Sequence, residues 1–177
     1  MTSNERPLYE RDRAAWHEYL AEGNAKQARK RVGADALIRN DRGEILLVDP
    51  SYKPDWDLPG GMAEHNEPPR QAAERELREE LGLELSLGPM LVVDWVAPHG
   101  PWDDSLMFVF DGGILDSRQI DPLRAANPEI RAFRFYSLTQ AATMLRPYIW
   151  KRLEQALAAT VDGTARYLHT PVIDQPI

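Results

Sequence analysis

The spacing of apolar and polar positions changes several times along the chain, and each change predicts an element. In residues 8 to about 31 the apolar positions recur at helical spacing, with Trp16 and Leu20 one turn apart and Ala14, Ala15 and Tyr19 beside them. Gly23-Asn24 predicts a break of this arm into two pieces. Residues 1–7 are polar and expected to be loose. Residues 32–38 and 44–48 read as strands joined by a hairpin turn, Asn40-Asp41-Arg42-Gly43, in which Gly43 can take positive φ. A loop rich in Pro, Gly and aromatic residues follows. Pro68 and Pro69 then stand where a helix can begin, because a first-turn proline forfeits no hydrogen bond that the helix needs. That helix should run to about Leu81 and stop at Gly82.

Residues 90–97 form the next apolar run, interrupted only by Asp94, and HGPWDD (99–104) reads as a loop. Residues 106–110 predict a strand closed by Gly112-Gly113, and 116–129 read as a polar loop. Ile130, Ala132 and Arg134 alternate with Arg131, Phe133 and Phe135 in a further strand. Two helices are expected at 138–145 and 148–159, and the tail after Asp162 has no strong pattern. Strands and helices in this mixed order predict a sheet packed by helices, an α/β or α+β layer fold.

Composition narrows the function classes. The chain has 177 residues, enough for one domain with a real core. A formal charge of −7 argues against binding a nucleic acid duplex, and an anionic substrate would need local cations or a bound metal. With no cysteine, disulfides and thiolate metal sites are excluded. No apolar run approaches a membrane span, and the charged start does not resemble a signal peptide, so a cytoplasmic protein with no membrane partner is expected. The basic cluster Lys26, Arg29, Lys30 and Arg31 suits the end of a helix, with a substrate or partner contact as the alternative.

The chemistry concentrates in residues 61–83, GMAEHNEPPRQAAERELREELGL. On a helical wheel with Glu76 at zero, Glu80 falls at about +40° and Glu79 at about −60°, so the three carboxylates share one face. Ala73, Leu77 and Leu81 form an adjacent apolar stripe that can dock on a sheet. Three such carboxylates repel one another unless a hard cation such as Mg²⁺ or Mn²⁺ joins them. Arg75 can pair with a neighbouring carboxylate and fix its rotamer, and Gly60-Gly61 lets backbone approach a metal or phosphate. ERELREE alone would ordinarily be a solvated helix face. The full spacing is far rarer, with a chance match on the order of one in ten million.

The spacing G-x5-E-x7-R-E-U-x-E-E-x-G-U, with U a bulky apolar residue, is the Nudix box, and every specified position is filled. The preceding Trp56-Asp57-Leu58-Pro59-Gly60-Gly61 is similar to the segment that commonly leads into it. The resemblance to the Nudix hydrolases implies an α/β/α sandwich with a mixed sheet, here with helical extensions at both ends. The expected organisation is a helical arm at 1–30, the hydrolase domain at 31–160 and a tail at 161–177. By this likeness Glu76, Glu79 and Glu80, with the Gly60 or Gly61 carbonyl, hold Mg²⁺ or Mn²⁺. One of the acids would act as base, Arg75 would orient a carboxylate, and Glu67 would be structural. Glu129 is a candidate for a further metal ligand or general base, because family members often recruit an acid from a later loop. A Phe at 133 or 135 stands where the family often has Trp.

The implied partner is a small-molecule diphosphate, and homodimers are common in the family. Pro98, fifteen residues past Leu83, points toward ADP-ribose pyrophosphatases, whereas the helical arm does not match the strand-rich extension many of those enzymes carry. Pocket candidates are Tyr52, Lys53, Trp56, Trp95, His99, Trp102 and Asp103: aromatics to stack on a base and Lys53 to touch phosphate, with core packing the competing role for each aromatic. His17, His65 and His169 have no paired metal-ligand spacing. The expected reaction is Mg²⁺-dependent cleavage of a pyrophosphate linkage in a nucleoside diphosphate derivative. Alternatives are a nucleoside triphosphate pyrophosphohydrolase, a hydrolase of an isoprenoid or other non-nucleotide diphosphate, and a non-catalytic ligand sensor.

Overall fold

The computed structural model describes residues 6–171. Two short helices, α1 (Leu8–Arg11) and α2 (Arg13–Lys26), lead into strand β1 (Arg31–Asn40). Then come β2 (Ile45–Pro50), β3 (Gly60–Met62), α3 (Pro69–Leu81), β4 (Met90–Val96) and β5 (Ser105–Leu115). The chain continues through α4 (Ser117–Ile120), β6 (Ile130–Tyr136), α5 (Leu138–Met144), α6 (Pro147–Asp162) and β7 (Arg166–Thr170). The strands make one mixed sheet in the order β6-β2-β1-β5-β4-β7, with β3 paired to the first half of β1. The β1–β5 and β4–β7 pairs are parallel; the β1–β2, β1–β3, β2–β6 and β4–β5 pairs are antiparallel.

Alternation along β1 and β2 divides the core between two sides of the sheet. Ala34, Ala36, Ile38, Leu46 and Val48 pack with Ala73, Leu77 and Leu81 of α3. Leu37, Ile45 and Leu47 pack with Ala141 of α5 and with Ile149, Leu153 and Ala156 of α6. The sheet is therefore sandwiched between α3 and the α5–α6 pair, as expected from the resemblance.

Four local expectations are corrected. The N-terminal arm breaks at Asp12, not at Gly23-Asn24. Asp12 is extended and caps α2 by accepting the Ala15 N–H at 2.9 Å, whereas Gly23 and Asn24 stay helical. Gly112-Gly113 does not end β5. There the register with β1 shifts, Gly113 has φ 72°, and a Cβ on Gly112 would lie 2.4 Å from Ile38, so the pair forms a bulge inside a longer strand. Asp116 and Gln119 form a capping box that turns part of the expected loop at 116–129 into α4. The tail at 161–177 takes in the end of α6 and the edge strand β7, paired along β4; residues 172–177, like residues 1–5 of the polar start, lie outside the described residues. No helix among the described residues is long and apolar enough to cross a membrane.

Candidate active site

Helix α3 forms as the sequence predicts. Pro69 opens it, and Gly82, at φ 66°, donates to the Arg78 carbonyl while Leu83 donates to Leu77 O at 3.1 Å. Ala73, Leu77 and Leu81 are fully buried, which fixes the rotation of the helix and with it the direction of its acids. Arg75 gathers two of these, together with Glu67 just before the helix. It bonds Glu67 through Nε (3.0 Å) and Nη2 (3.1 Å), and its Nη1 reaches both Glu76 Oε1 (2.9 Å) and Glu79 Oε2 (3.0 Å). Its Nη2 also donates to the Met62 carbonyl at 3.1 Å, tying the helix to β3. The Arg75 bond holds the Glu67 carboxyl below its usual range, aided by the Glu64 N–H.

Glu80 behaves differently. It is 6% exposed, and its Oε2 has no hydrogen-bond partner. Burial, followed by the nearby Glu76 charge, raises its carboxyl to about 8, opposed by a hydrogen bond with the Gly60 backbone. Burial also raises Glu76, opposed by Arg75. A Cβ on Gly61 would lie 2.6 Å from Glu76 Oε1, so the bare backbone is what lets that carboxylate close on β3. Gly60 has φ 145°, and a Cβ there would meet Ala34 O at 2.3 Å, so both positions require glycine. Among the described residues no three His, Asp or Glu side chains converge as a ready ion cage; Arg75 bridges Glu76 and Glu79. The buried, unpartnered Glu80 oxygen beside Gly60 is nevertheless of the hard oxygen type that suits Mg²⁺.

Two adjoining lobes form a cleft beside these residues. The larger lobe, about 450 Å³, is lined by Gly60, Gly61, Glu80, Tyr52 and Leu58. The smaller lobe, about 200 Å³, is lined by His99, Ser105, Tyr148 and Arg152. Arg31, Asp35, Lys53, Asp57, Met62, Trp102 and Met107 border both. The cleft therefore brings together Tyr52, Lys53, His99 and Trp102 from the sequence candidates.

The remaining candidates sit elsewhere. Trp56 borders neither lobe: its ring packs edge-on to Tyr136 at 5.1 Å, on the α5–α6 side of the core. Trp95 donates its indole N–H to Asp104 at 2.7 Å. Glu129 is exposed and borders neither lobe, although its charge is felt by Glu76 and Tyr52. Lys53 is not free for phosphate, because it pairs with Asp57.

Sequence reasoning missed the polar floor of the cleft. Asp35 on β1 is 5% exposed, and burial, followed by the Asp57 charge, raises its carboxyl to about 7. Arg152 on α6 lies 3.7 Å from Asp35 Oδ2 and 3.0 Å from Asp94 Oδ2 on β4, and Thr170 of β7 bonds both oxygens of Asp94. The signals were a charged residue inside each of two apolar strand runs and an arginine on the apolar face of α6.

The NUDIX domain family model matches residues 29–159. The chain belongs to the NUDIX family. Over 68 residues it is 43% identical to the CTP pyrophosphohydrolase of Escherichia coli (strain K12), covering 36% of this chain and 46% of that protein. The match thus spans under half the length of this relative. A MutT NUDIX hydrolase from Burkholderia pseudomallei superposes with a TM-score of 0.61 at 28% identity, covering 72% of this chain and 98% of that one. A UDP-X diphosphatase superposes at 0.66 with 20% identity, over 88% and 74% of the two chains, a likeness of fold.

Proposed function

We propose that this NUDIX protein is a Mg²⁺-dependent hydrolase of the pyrophosphate linkage in a nucleoside diphosphate derivative, of the ADP-ribose or nucleotide-sugar type. The observation that carries the reading is the larger lobe, where buried Glu80 and the side-chain-free backbone of Gly60 and Gly61 meet beside the acids ordered by Arg75. Glu76, Glu79, Glu80 and the Gly61 carbonyl would hold Mg²⁺, or Mn²⁺ in its place. The ion would lower the charge on the phosphates and acidify the attacking water.

The protein's own groups supply the rest. Glu79 is the most exposed of the three acids and is the group assigned to take the proton from water, with Glu129 as the second candidate. Arg75 keeps Glu76 and Glu79 in register and Glu67 holds Arg75, so these two residues position the acids and do not touch substrate. Water adds across the P–O–P bond: its oxygen joins one phosphorus, and the other phosphate leaves with the bridging oxygen. Trp102, exposed at the rim, can stack on a base or sugar.

A nucleoside triphosphate pyrophosphohydrolase is the second reading, favoured by the likeness to the CTP pyrophosphohydrolase. A panel of ADP-ribose, nucleotide sugars, nucleoside triphosphates and prenyl diphosphates, run with Mg²⁺ and with Mn²⁺ and read by product mass, separates the readings. Release of AMP from ADP-ribose supports the first, and release of pyrophosphate from a triphosphate supports the second. Glu79→Gln should abolish metal-dependent turnover and leave the fold intact. A wild type inactive across the panel defeats the enzymatic reading and leaves a ligand sensor, whereas Glu79→Gln at full rate overturns the role assigned to Glu79.

A further inference from the structure

Three cavities meet at Arg31 and Met62: the two lobes of the cleft and a shallow trough of about 500 Å³ bordered by Arg29, Lys30 and His65. Arg31 is the first residue of β1. Its backbone is held by a bond from its N–H to Asp104 O at 3.3 Å and by pairing in register with Ser105 of β5. Its guanidinium lies 4.4 Å from the centre of the Trp102 ring, and its Nη2 is 3.9 Å from Met62 Sδ. Neither neighbour neutralises its charge. Trp102 is itself placed by a tight turn, in which His99 and Trp102 exchange backbone hydrogen bonds of 3.0 and 2.9 Å.

The other cations of the cleft are already matched. Lys53 pairs with Asp57, and Arg152 with Asp94 and Asp35. Asp104, whose carbonyl holds the Arg31 backbone, uses its carboxylate for Lys30 and for the Trp95 indole. Among the described residues Arg31 is thus the cleft-lining cation with no carboxylate partner. A guanidinium held over an indole ring keeps N–H donors available while its rotamers are restricted. In a chain of net charge −7 that must admit a diphosphate, an unmatched local cation has a clear use.

We infer that Arg31, seated on Trp102, is the anion clamp of the cleft and takes phosphate oxygens of the diphosphate substrate. This deepens the hydrolase reading and rests on it. The role is specificity and binding: the N–H edge of Arg31 would meet an anion whose reacting end lies toward Glu80, Gly60 and Gly61 in the same lobe. If instead the stack only packs Trp102 against the sheet, loss of the charge would leave anion binding unchanged.

The test is calorimetric titration of inorganic pyrophosphate, in Mg²⁺ buffer, into the wild type and into Arg31→Ala, Arg31→Gln, Arg31→Lys and Arg42→Ala. Arg42 lies in the turn beyond the far end of β1 and serves as control. Arg31→Ala and Arg31→Gln should each weaken binding about tenfold or more, Arg31→Lys should recover part of it, and Arg42→Ala should match the wild type. With whichever diphosphate is turned over, Arg31→Gln should raise KM by more than it lowers kcat. If Arg31→Ala lowers the melting temperature, Arg31→Gln, which keeps most of the side-chain length, decides. Unchanged pyrophosphate affinity in Arg31→Gln, or no measurable binding by the wild type, overturns the inference. Binding that depends on Arg31 in a protein that hydrolyses nothing in the panel would overturn the hydrolase reading and leave the anion clamp standing.

Discussion

Two arginines organise the acids on the two sides of the sheet, and they do so by different means. Arg75, on α3, gathers Glu67, Glu76 and Glu79 at the edge of the cleft, and these three acids are within eight residues of it in the chain. Arg152, on α6, is 3% exposed and joins Asp94 of β4 and Asp35 of β1, which lie 58 and more residues away. The first network is local, partly solvated and set by one helix. The second is buried and exists only once the sheet and α6 have closed together. Disturbing the first should therefore appear mainly in activity, and disturbing the second in stability.

The largest effect expected from breaking this contrast is at Arg152. Arg152→Met leaves the fully buried Asp94 with Thr170 as its remaining partner, and removal of one member of a buried ion pair costs about 3–5 kcal/mol. Urea unfolding at neutral pH reads this directly. The double variant Arg152→Met with Asp94→Asn should recover a large part of the loss, because it removes the stranded charge as well. A double variant no better than the single would mean that the cost is lost packing of the arginine stem.

Next in size is Arg75. Arg75→Gln should lower turnover by about 10–100-fold, the usual cost of losing a group that orients metal-binding acids. Because Arg75 is partly solvated, its unfolding free energy should fall by far less than that of Arg152→Met. If Arg75→Gln unfolds as readily as Arg152→Met but keeps its activity, the assignment of the two networks is reversed.

The same contrast explains what could be read from the sequence. Everything about α3 was legible, from Pro69 at its start to Gly82 at its end and the shared face of its acids, because helical periodicity and caps are set by neighbours in the chain. The cleft floor was not. Asp94 reads as an interruption in an apolar strand, and Asp35 as a single polar residue in another. Nothing local says that both face Arg152. β3 is three residues, and in the edge strand β7 the half-buried face mixes Arg166 with Leu168 while the exposed face carries Tyr167 and His169, so neither has an apolar–polar pattern that alternation can detect. Trp56 takes the core-packing role that its sequence leaves open, because an aromatic beside a glycine-rich loop looks alike whether it faces the cleft or the core; its packing on Tyr136 comes from a strand eighty residues later. Lys53 borders the cleft, but its charge is cancelled by Asp57 four residues on, a pairing that an irregular loop does not reveal.

The smallest expected effect sharpens the comparison most, because it isolates one charge. Asp35 is drawn two ways: burial and the Asp57 charge raise its carboxyl from 3.8 to about 7, while Arg152 and Lys53 oppose the rise. A carboxyl raised in the folded state binds its proton more tightly there than in the unfolded chain. Its contribution is therefore most favourable below about pH 4 and is lost as pH rises through about 7. Asp35→Asn removes that pH-dependent loss and also removes a partner of Arg152, so the net gain should be on the order of 1 kcal/mol at pH 8.5. At pH 4.5 the gain should be close to absent. Melting curves of the wild type and Asp35→Asn across this range, in metal-free buffer, should diverge as pH rises. A constant difference between the curves would mean that Arg152 already compensates the Asp35 charge in full. The two networks would then differ only in burial, and not in how well each satisfies its acids.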